Sequence, residues 1–209
     1  MTTMVIKATG TISNPNQNNV IVGSIVTSDK FTGSGLLVGQ KSDALLGGEK
    51  LEWKKFSAYP AGVFEKVDGM ARIVVGVIGA VYLDKALVDV AVQFKVAKLD
   101  SGLGTDSIKA FIDVRRIDAN LKMYRLGFND AGINLIWRDG ASTTLITTPT
   151  KVGDEILYVA KGTTHKIYVN SVLKIDINHV GTEQSGNVGF SGATDKAAVG
   201  FSDLIVYSV

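Results

Sequence analysis

The feature that most limits what this chain can fold into is a two-residue alternation of apolar and polar side chains, repeated in short runs and interrupted by glycine-rich turns. In Leu87 to Val96 (LVDVAVQFKV), Val88, Val90, Val92, Phe94 and Val96 alternate with Asp89, Gln93 and Lys95. Residues two apart share one face of a strand, so this run predicts a half-buried β-strand. The same period recurs in Ile108 to Val114 and in Leu173 to Ile177, and helical spacing is nowhere as clean. Turn clusters stand between such runs, among them Gly33-Ser34-Gly35, Gly47-Gly48, Asp68-Gly69, Asn129-Asp130-Ala131-Gly132 and Asp139-Gly140. Tyr158 to Val180 reads as a meander with tight turns at Lys161-Gly162 and Asn170-Ser171. The most apolar run, Ala71 to Leu83 (ARIVVGVIGAVYL), falls short of the ~20 residues of a membrane-spanning helix and predicts one strand buried on both faces. Many short strands at turn spacing imply an all-β sandwich or barrel.

With 209 residues the chain can bury a sizeable core, and one main domain is expected. Its 22 basic and 20 acidic residues give a net charge of +2 with no basic block, which argues against nucleic acid as a partner. The absence of cysteine excludes disulfides, thiolate metal sites and a cysteine nucleophile. The opening MTTMVIKATG has neither the basic nor the apolar region of a secretory signal peptide, and no insertion into a membrane is expected. A polar cluster, SNPNQNN (Ser13 to Asn19), separates two short β-like runs near the start. Residues 1–27 are therefore expected to form an N-terminal arm or hairpin, a candidate anchor, and residues 28–209 the main domain.

Three stretches carry a family resemblance. Ser28 to Trp53 (SDKFTGSGLLVGQKSDALLGGEKLEW), Ala110 to Trp137 (AFIDVRRIDANLKMYRLGFNDAGINLIW) and Asn187 to Val209 (NVGFSGATDKAAVGFSDLIVYSV) resemble the opening, central and closing strands of concanavalin-A-like jelly rolls. Such domains occur in laminin-G-type modules, bacterial surface proteins and phage virion proteins. The resemblance implies an antiparallel two-sheet jelly-roll sandwich with a ligand surface on one concave sheet or its loops. Periodicity agrees, because alternating strands need a second sheet to cover their apolar face.

Catalysis is not expected. Members of this superfamily that cut β-glucans carry Glu-x-Asp-x-(x)-Glu on one strand, which places nucleophile and acid on one face. No such triplet occurs here, and Asp89, Asp113 and Asp176 stand singly among apolar neighbours, as solvent-facing strand residues do. His165 and His179 lack zinc-ligand spacing, and GSGLLVG (Gly33 to Gly39) lacks the Lys-Ser/Thr ending of a phosphate loop. No cofactor is expected other than a structural calcium between Asp29 and Asp203, which become neighbours if the chain's first and last strands pair as the resemblance implies. The preferred reading of the two residues is that Asp29 caps a turn and Asp203 faces solvent.

Glycan binding needs an exposed aromatic ring and planar polar side chains. The richest neighbourhood is Arg115, Tyr124, Arg125, Asn129, Asp130, Trp137 and Arg138. Alternation points Arg115 away from Val114; Trp137 shares a face with Ile133 and Leu135, which favours burial, as does the position of Trp53, so Tyr124 and the arginines are the preferred contacts. The leading functional expectation is a non-catalytic phage virion protein, a decoration or adhesin assembled in the host cytoplasm, contacting capsid or tail proteins or host-surface glycan. It is expected to be a homo-oligomer, since strand edges need protection. The alternative is a bacterial carbohydrate-binding module or lectin, extracellular or on the cell surface; a glycoside hydrolase with an atypical site ranks below both.

Overall fold

The computed structural model describes residues 5–6, 11–14, 17–21, 23–60, 63–75, 79–100, 110–117, 122–181, 185–192 and 199–209. Every regular element among them is a strand: β1 (Val5–Ile6), β2 (Thr11–Asn14), β3 (Gln17–Ile21), β4 (Ile25–Asp29), β5 (Gly35–Leu36), β6 (Trp53–Pro60), β7 (Val63–Val67), β8 (Met70–Val75), β9 (Gly79–Leu87), β10 (Val90–Leu99), β11 (Ala110–Ile117), β12 (Lys122–Asn129), β13 (Gly132–Asp139), β14 (Ala141–Thr148), β15 (Glu155–Lys161), β16 (Thr164–Val169), β17 (Val172–Asn178), β18 (Gly186–Gly192) and β19 (Val199–Ser208).

From β4 onward these strands make the two-sheet antiparallel sandwich that the family resemblance implies, one of the two architectures that the alternation allows. One sheet has nine strands in the order β17-β16-β15-β10-β19-β8-β7-β5, with β4 also paired to β19; the other has seven, in the order β14-β13-β12-β11-β18-β9-β6. The first three strands pair with one another in a small sheet, β1-β2-β3. The expected meander is present as β15, β16 and β17, and the left-handed turn between the last two uses Asn170 and Ser171 at φ 50° and 67°. The run from Leu87 is shorter than its alternation suggests: β10 begins at Val90, and Val88 lies in the preceding turn, 48% exposed. Ile108 lies outside the described residues. The run Ala71 to Leu83 corrects the one-strand expectation, because it contributes β8 to the nine-stranded sheet and β9 to the seven-stranded one. Its continuous apolar character reflects two strands, each with a face on the same core.

That core is an aromatic chain between the sheets. Trp53 stacks on Phe190 at 5.1 Å between ring centroids, Phe190 on Phe201 at 5.4 Å, and Phe94 stands edge-on to Phe201 at 5.6 Å and to Phe128 at 5.9 Å. Such pairs contribute about 0.5–1.5 kcal/mol each beyond burial of their area. Trp53 is fully buried, as its position in the sequence suggested. Its indole N–H donates to Asp29 Oδ2 at 2.8 Å, while Asp29 Oδ1 accepts from the backbone N–H of Phe31 at 2.8 Å. Lys66 Nζ completes the shell, 3.4 Å from Asp29 Oδ1. Gly132 marks a close approach between strands: at φ 117°, a Cβ there would stand 2.3 Å from the Thr148 carbonyl oxygen.

Candidate functional site

The side chains of each sheet divide between the core and an outer face, and strand register shows which belong together. On the outer face of the seven-stranded sheet one row runs Thr144, Ile136, Arg125, Asp113, Gly189, Tyr82, Lys54, one residue from each strand. A second row carries Thr147, Asn134, Gly127, Phe111, Ser191 and Ala80. Arg138 sits beside Met123 and Ser142 on the same face.

Asp113 is the centre of this face. Arg125 donates to its Oδ1 from Nε at 3.0 Å and from a terminal nitrogen at 2.8 Å, and Arg116 pairs with its Oδ2. The same Arg125 terminal nitrogen donates to Ser191 Oγ at 2.7 Å. Burial opposes ionisation of Asp113, but the guanidiniums of Arg125 and Arg116 and the Ser191 hydroxyl outweigh it and hold the carboxyl below its usual range. Rings frame the cluster. The Arg125 guanidinium lies over Phe111 and that of Arg116 over Phe56, each 3.8 Å from the ring centroid, and Phe56 meets Tyr82 at 4.3 Å. Phe56 is buried, whereas Tyr82 and Phe111 keep part of their surface in solvent. Gly189 is required beside Asp113, because a Cβ would lie 2.1 Å from the Val81 carbonyl oxygen.

The seven glycan-contact residues expected from the sequence separate into three places. Arg125 and Arg138 stand on the outer face; the Arg138 Nε is buried with no hydrogen-bond partner among the described residues. Tyr124, Trp137 and Arg115 do not face outward. The expectation that Tyr124 offers an exposed ring is corrected: it is 1% exposed in the core, its hydroxyl 2.9 Å from His179 Nδ1 and 3.0 Å from the His179 carbonyl oxygen. Trp137 packs against it at 4.7 Å, the core role its neighbours implied.

Arg115 is corrected for a different reason. A β-bulge in β11 places it at φ 53° and breaks the alternation. Its head reaches the Val88 carbonyl, the Gly162 carbonyl at 2.8 Å and Asp89 Oδ1 at 3.1 Å, tying the β9–β10 and β15–β16 turns together. The bulge also turns Arg116 to the outer face. Asn129 and Asp130 sit at the β12–β13 turn, where Asn129 Oδ1 accepts from the Ala131 N–H at 3.0 Å and from the Asn134 amide at 3.1 Å.

Asp113 corrects the expectation of a solvent-facing strand residue, since it is 0% exposed; Asp176 does face solvent, paired with Lys166 at 3.2 Å. The calcium expectation is corrected too. The sandwich's opening strand, β4, does pair with the last, β19, with Asp29 opposite Leu204, but the neighbouring Asp203 is exposed in a bulge at φ 52° while Asp29 points inward. The Asp29 carboxylate is occupied by Trp53, Phe31 and Lys66, and no group of three metal-ligating side chains occurs among the described residues. That donor set does not fit a calcium ion.

Sequence reasoning missed Asp113, Arg116, Ser191, Phe56, Tyr82 and Phe111. It also missed a second polar cluster inside the sandwich. His165 is fully buried, its Nδ1 2.7 Å from the Tyr158 hydroxyl and its ring 4.0 Å from that of Tyr124. Burial first, then the Arg115 guanidinium and His179, push its pKa down to about 3, so the imidazole is neutral.

The sequence matches no family model and no curated relative. Among solved structures the chain is similar to a Bacillus subtilis protein of unknown function with a galectin-like fold, at TM-score 0.56 and 8% identity over 90% of this chain and 97% of that one. It is similar to a Bacillus licheniformis beta-glucanase at TM-score 0.52 and 11% identity, over 87% of this chain and 97% of the other. A carbohydrate-binding module from Bacillus subtilis aligns at TM-score 0.51 and 17% identity, over 85% and 96% of the two chains. At these identities the likeness is one of fold: the chain is an all-β jelly-roll sandwich of the concanavalin-A-like and galectin-like kind.

Proposed function

We propose that this chain is a non-catalytic carbohydrate-binding jelly roll whose contact surface is the outer face of the seven-stranded sheet. The observation that carries this reading is the framing of a rigid Asp113–Arg125–Ser191 network by two part-exposed rings, Tyr82 and Phe111, with Arg138 further along the same face. Rings of that kind stack on the apolar face of a sugar, and fixed guanidinium groups meet its hydroxyls or carboxylates. The fold shared with the Bacillus subtilis carbohydrate-binding module supports the same reading. A hydrolytic role is disfavoured by Asp113 itself. A general acid has its pKa raised, whereas this carboxyl is held ionised and occupied by two arginines.

A glycan array probed with the intact chain tests the proposal. Binding is expected, and Tyr82→Ala or Phe111→Ala weakens it by about fivefold to tenfold, the loss of roughly 1–1.4 kcal/mol of stacking. Tyr124→Phe, in the core, leaves it unchanged. An array with no bound glycan, or binding indifferent to both outer rings, overturns the proposal. A phage-virion setting is the second reading, motivated by the small β1-β2-β3 sheet that precedes the sandwich. Mass spectrometry of purified particles tests it: recovery of the chain supports it, and absence overturns it.

A further inference from the structure

Both sheets end in an edge strand on the same side of the sandwich. β14 closes the seven-stranded sheet and β17 the nine-stranded one, and the two lie against each other. Among the described residues each pairs with one strand, β13 or β16, which leaves its second edge open. The opposite side of the sandwich is guarded. β6, the far edge of the seven-stranded sheet, carries Lys54 and Lys55 and ends in Pro60, and β5, the far edge of the nine-stranded sheet, is two residues long. Short strands, lysines and proline are the devices that keep a sheet edge from pairing with another chain. β14 has none of them. The eleven residues from Gly140 to Thr150 carry no charge. The eight-residue strand within them, ASTTLITT, contains no proline and is rich in β-branched side chains. Ala141, Ser142, Thr143, Thr144 and Thr147 are exposed on it. An uncharged open strand of this composition is a template for a further strand.

We infer that the side of the sandwich formed by the edges of β14 and β17 is an interface with a second copy of this chain, joined edge to edge about a two-fold axis so that both sheets continue from one copy into the other. β17 identifies the occupant, because its charges complement themselves. Ile175 faces the core, and Lys174 and Asp176 flank it, both exposed. Lys174 is the residue that a bulge leaves without a partner on β16, while Asp176 lies opposite Lys166. In an antiparallel pair, residues directly opposed share a face of the sheet, so the axis must pass through a residue and not between two. With the axis at Ile175, Lys174 of one copy stands opposite Asp176 of the other, and the pair occurs twice. Moving the axis to Lys174 or to Asp176 sets like charges against each other. The strand therefore specifies one register with its own copy, and opposite charges across that register stabilise it.

Sedimentation velocity on the full chain tests the interface. A dimer is expected at about 10 μM, the range of a dissociation constant near ~1 μM. Lys174→Glu sets two pairs of like charges across the axis and should raise the dissociation constant about tenfold or more, and Asp176→Lys should do the same. Mixing the two variants should restore the dimer, because each then supplies the charge that the other opposes. Thr144→Lys, which places a lysine on the uncharged edge of β14, should give a monomer. Unchanged fluorescence of the buried Trp53 shows in each case that the sandwich persists. A native chain still monomeric at about 100 μM overturns the inference. A dimer indifferent to Thr144→Lys also overturns it, as do charge variants that associate no better mixed than alone, because the contact then lies elsewhere or in another register.

Discussion

Acid should weaken this fold through His165 before most carboxylates titrate. The folded pKa of about 3 lies below the ordinary histidine value of 6.5, so the unfolded chain accepts a proton that the folded chain refuses. Stability contributed by the neutral ring is therefore complete well above pH 6.5 and declines as pH falls through that value, down to the folded pKa. Between pH 7 and pH 5 the loss integrates to about 2 kcal/mol, a sizeable part of the ~5–15 kcal/mol of a typical domain. The structure supplies the reason: a second proton would charge a ring buried inside the sandwich, near the Arg115 guanidinium. The assay is urea unfolding at pH 7 and pH 5 for the native chain and for His165→Phe. Phenylalanine keeps a ring against Tyr124 and removes the titration; the stranded Tyr158 hydroxyl costs about 1–3 kcal/mol at both pH values. Asp29 and Glu155, raised by burial, act in the opposite sense but are present in both chains and cancel in the comparison. At an m-value of about 3 kcal/mol/M, the native midpoint should fall about 0.7 M further than that of the variant. Equal shifts in the two chains would refute the reasoning.

Lys66→Met should destabilise by about 3–5 kcal/mol in urea unfolding, because it strands the buried Asp29 carboxylate. The double variant with Asp29→Asn should recover part of that loss, and no recovery would mean that Lys66 acts through its packing alone. Gly189→Ala should lower the melting temperature clearly, since its Cβ would collide with backbone that cannot move aside without unpairing β9 from β18. A near-neutral alanine there would show that the strands have room to part. Chelator should leave the melting midpoint unchanged, because Asp29 is already satisfied and Asp203 faces solvent. A midpoint that drops with chelator and returns with calcium would restore the two-aspartate site.

The fold was legible where one face of a strand meets water. β16 and β17 alternate because they lie toward an edge of the nine-stranded sheet, and their outward positions carry Lys166, Lys174 and Asp176. β12 shows the opposite case. From Met123 to Asn129 every residue is buried, so its sequence carries no period to read. Ala71 to Leu83 failed for a related reason: a continuous apolar run does not reveal where one strand stops and the next crosses to the other sheet.

The candidate face was less legible because register, not sequence distance, assembles it. Asp113 and Arg125 are directly opposed on neighbouring strands, and Ser191 is 66 positions from Arg125. Nothing local in either segment announces the pairing. One signal was present and misread. In Phe111 to Arg116 (FIDVRR), strict alternation puts Asp113 and Arg115 on one face and Arg116 with Val114 in the core. A bulge offers the remedy for a buried arginine at that point: one extra residue returns Arg116 to the side of Asp113 and sends Arg115 to the turn carbonyls of Val88 and Gly162. The consecutive arginines therefore encode the irregularity, and with it the outer charge cluster and the interior latch together. A substitution that restores regular pairing at Arg115 would dismantle both, which ties the proposed binding face to the same local distortion that closes one end of the sandwich.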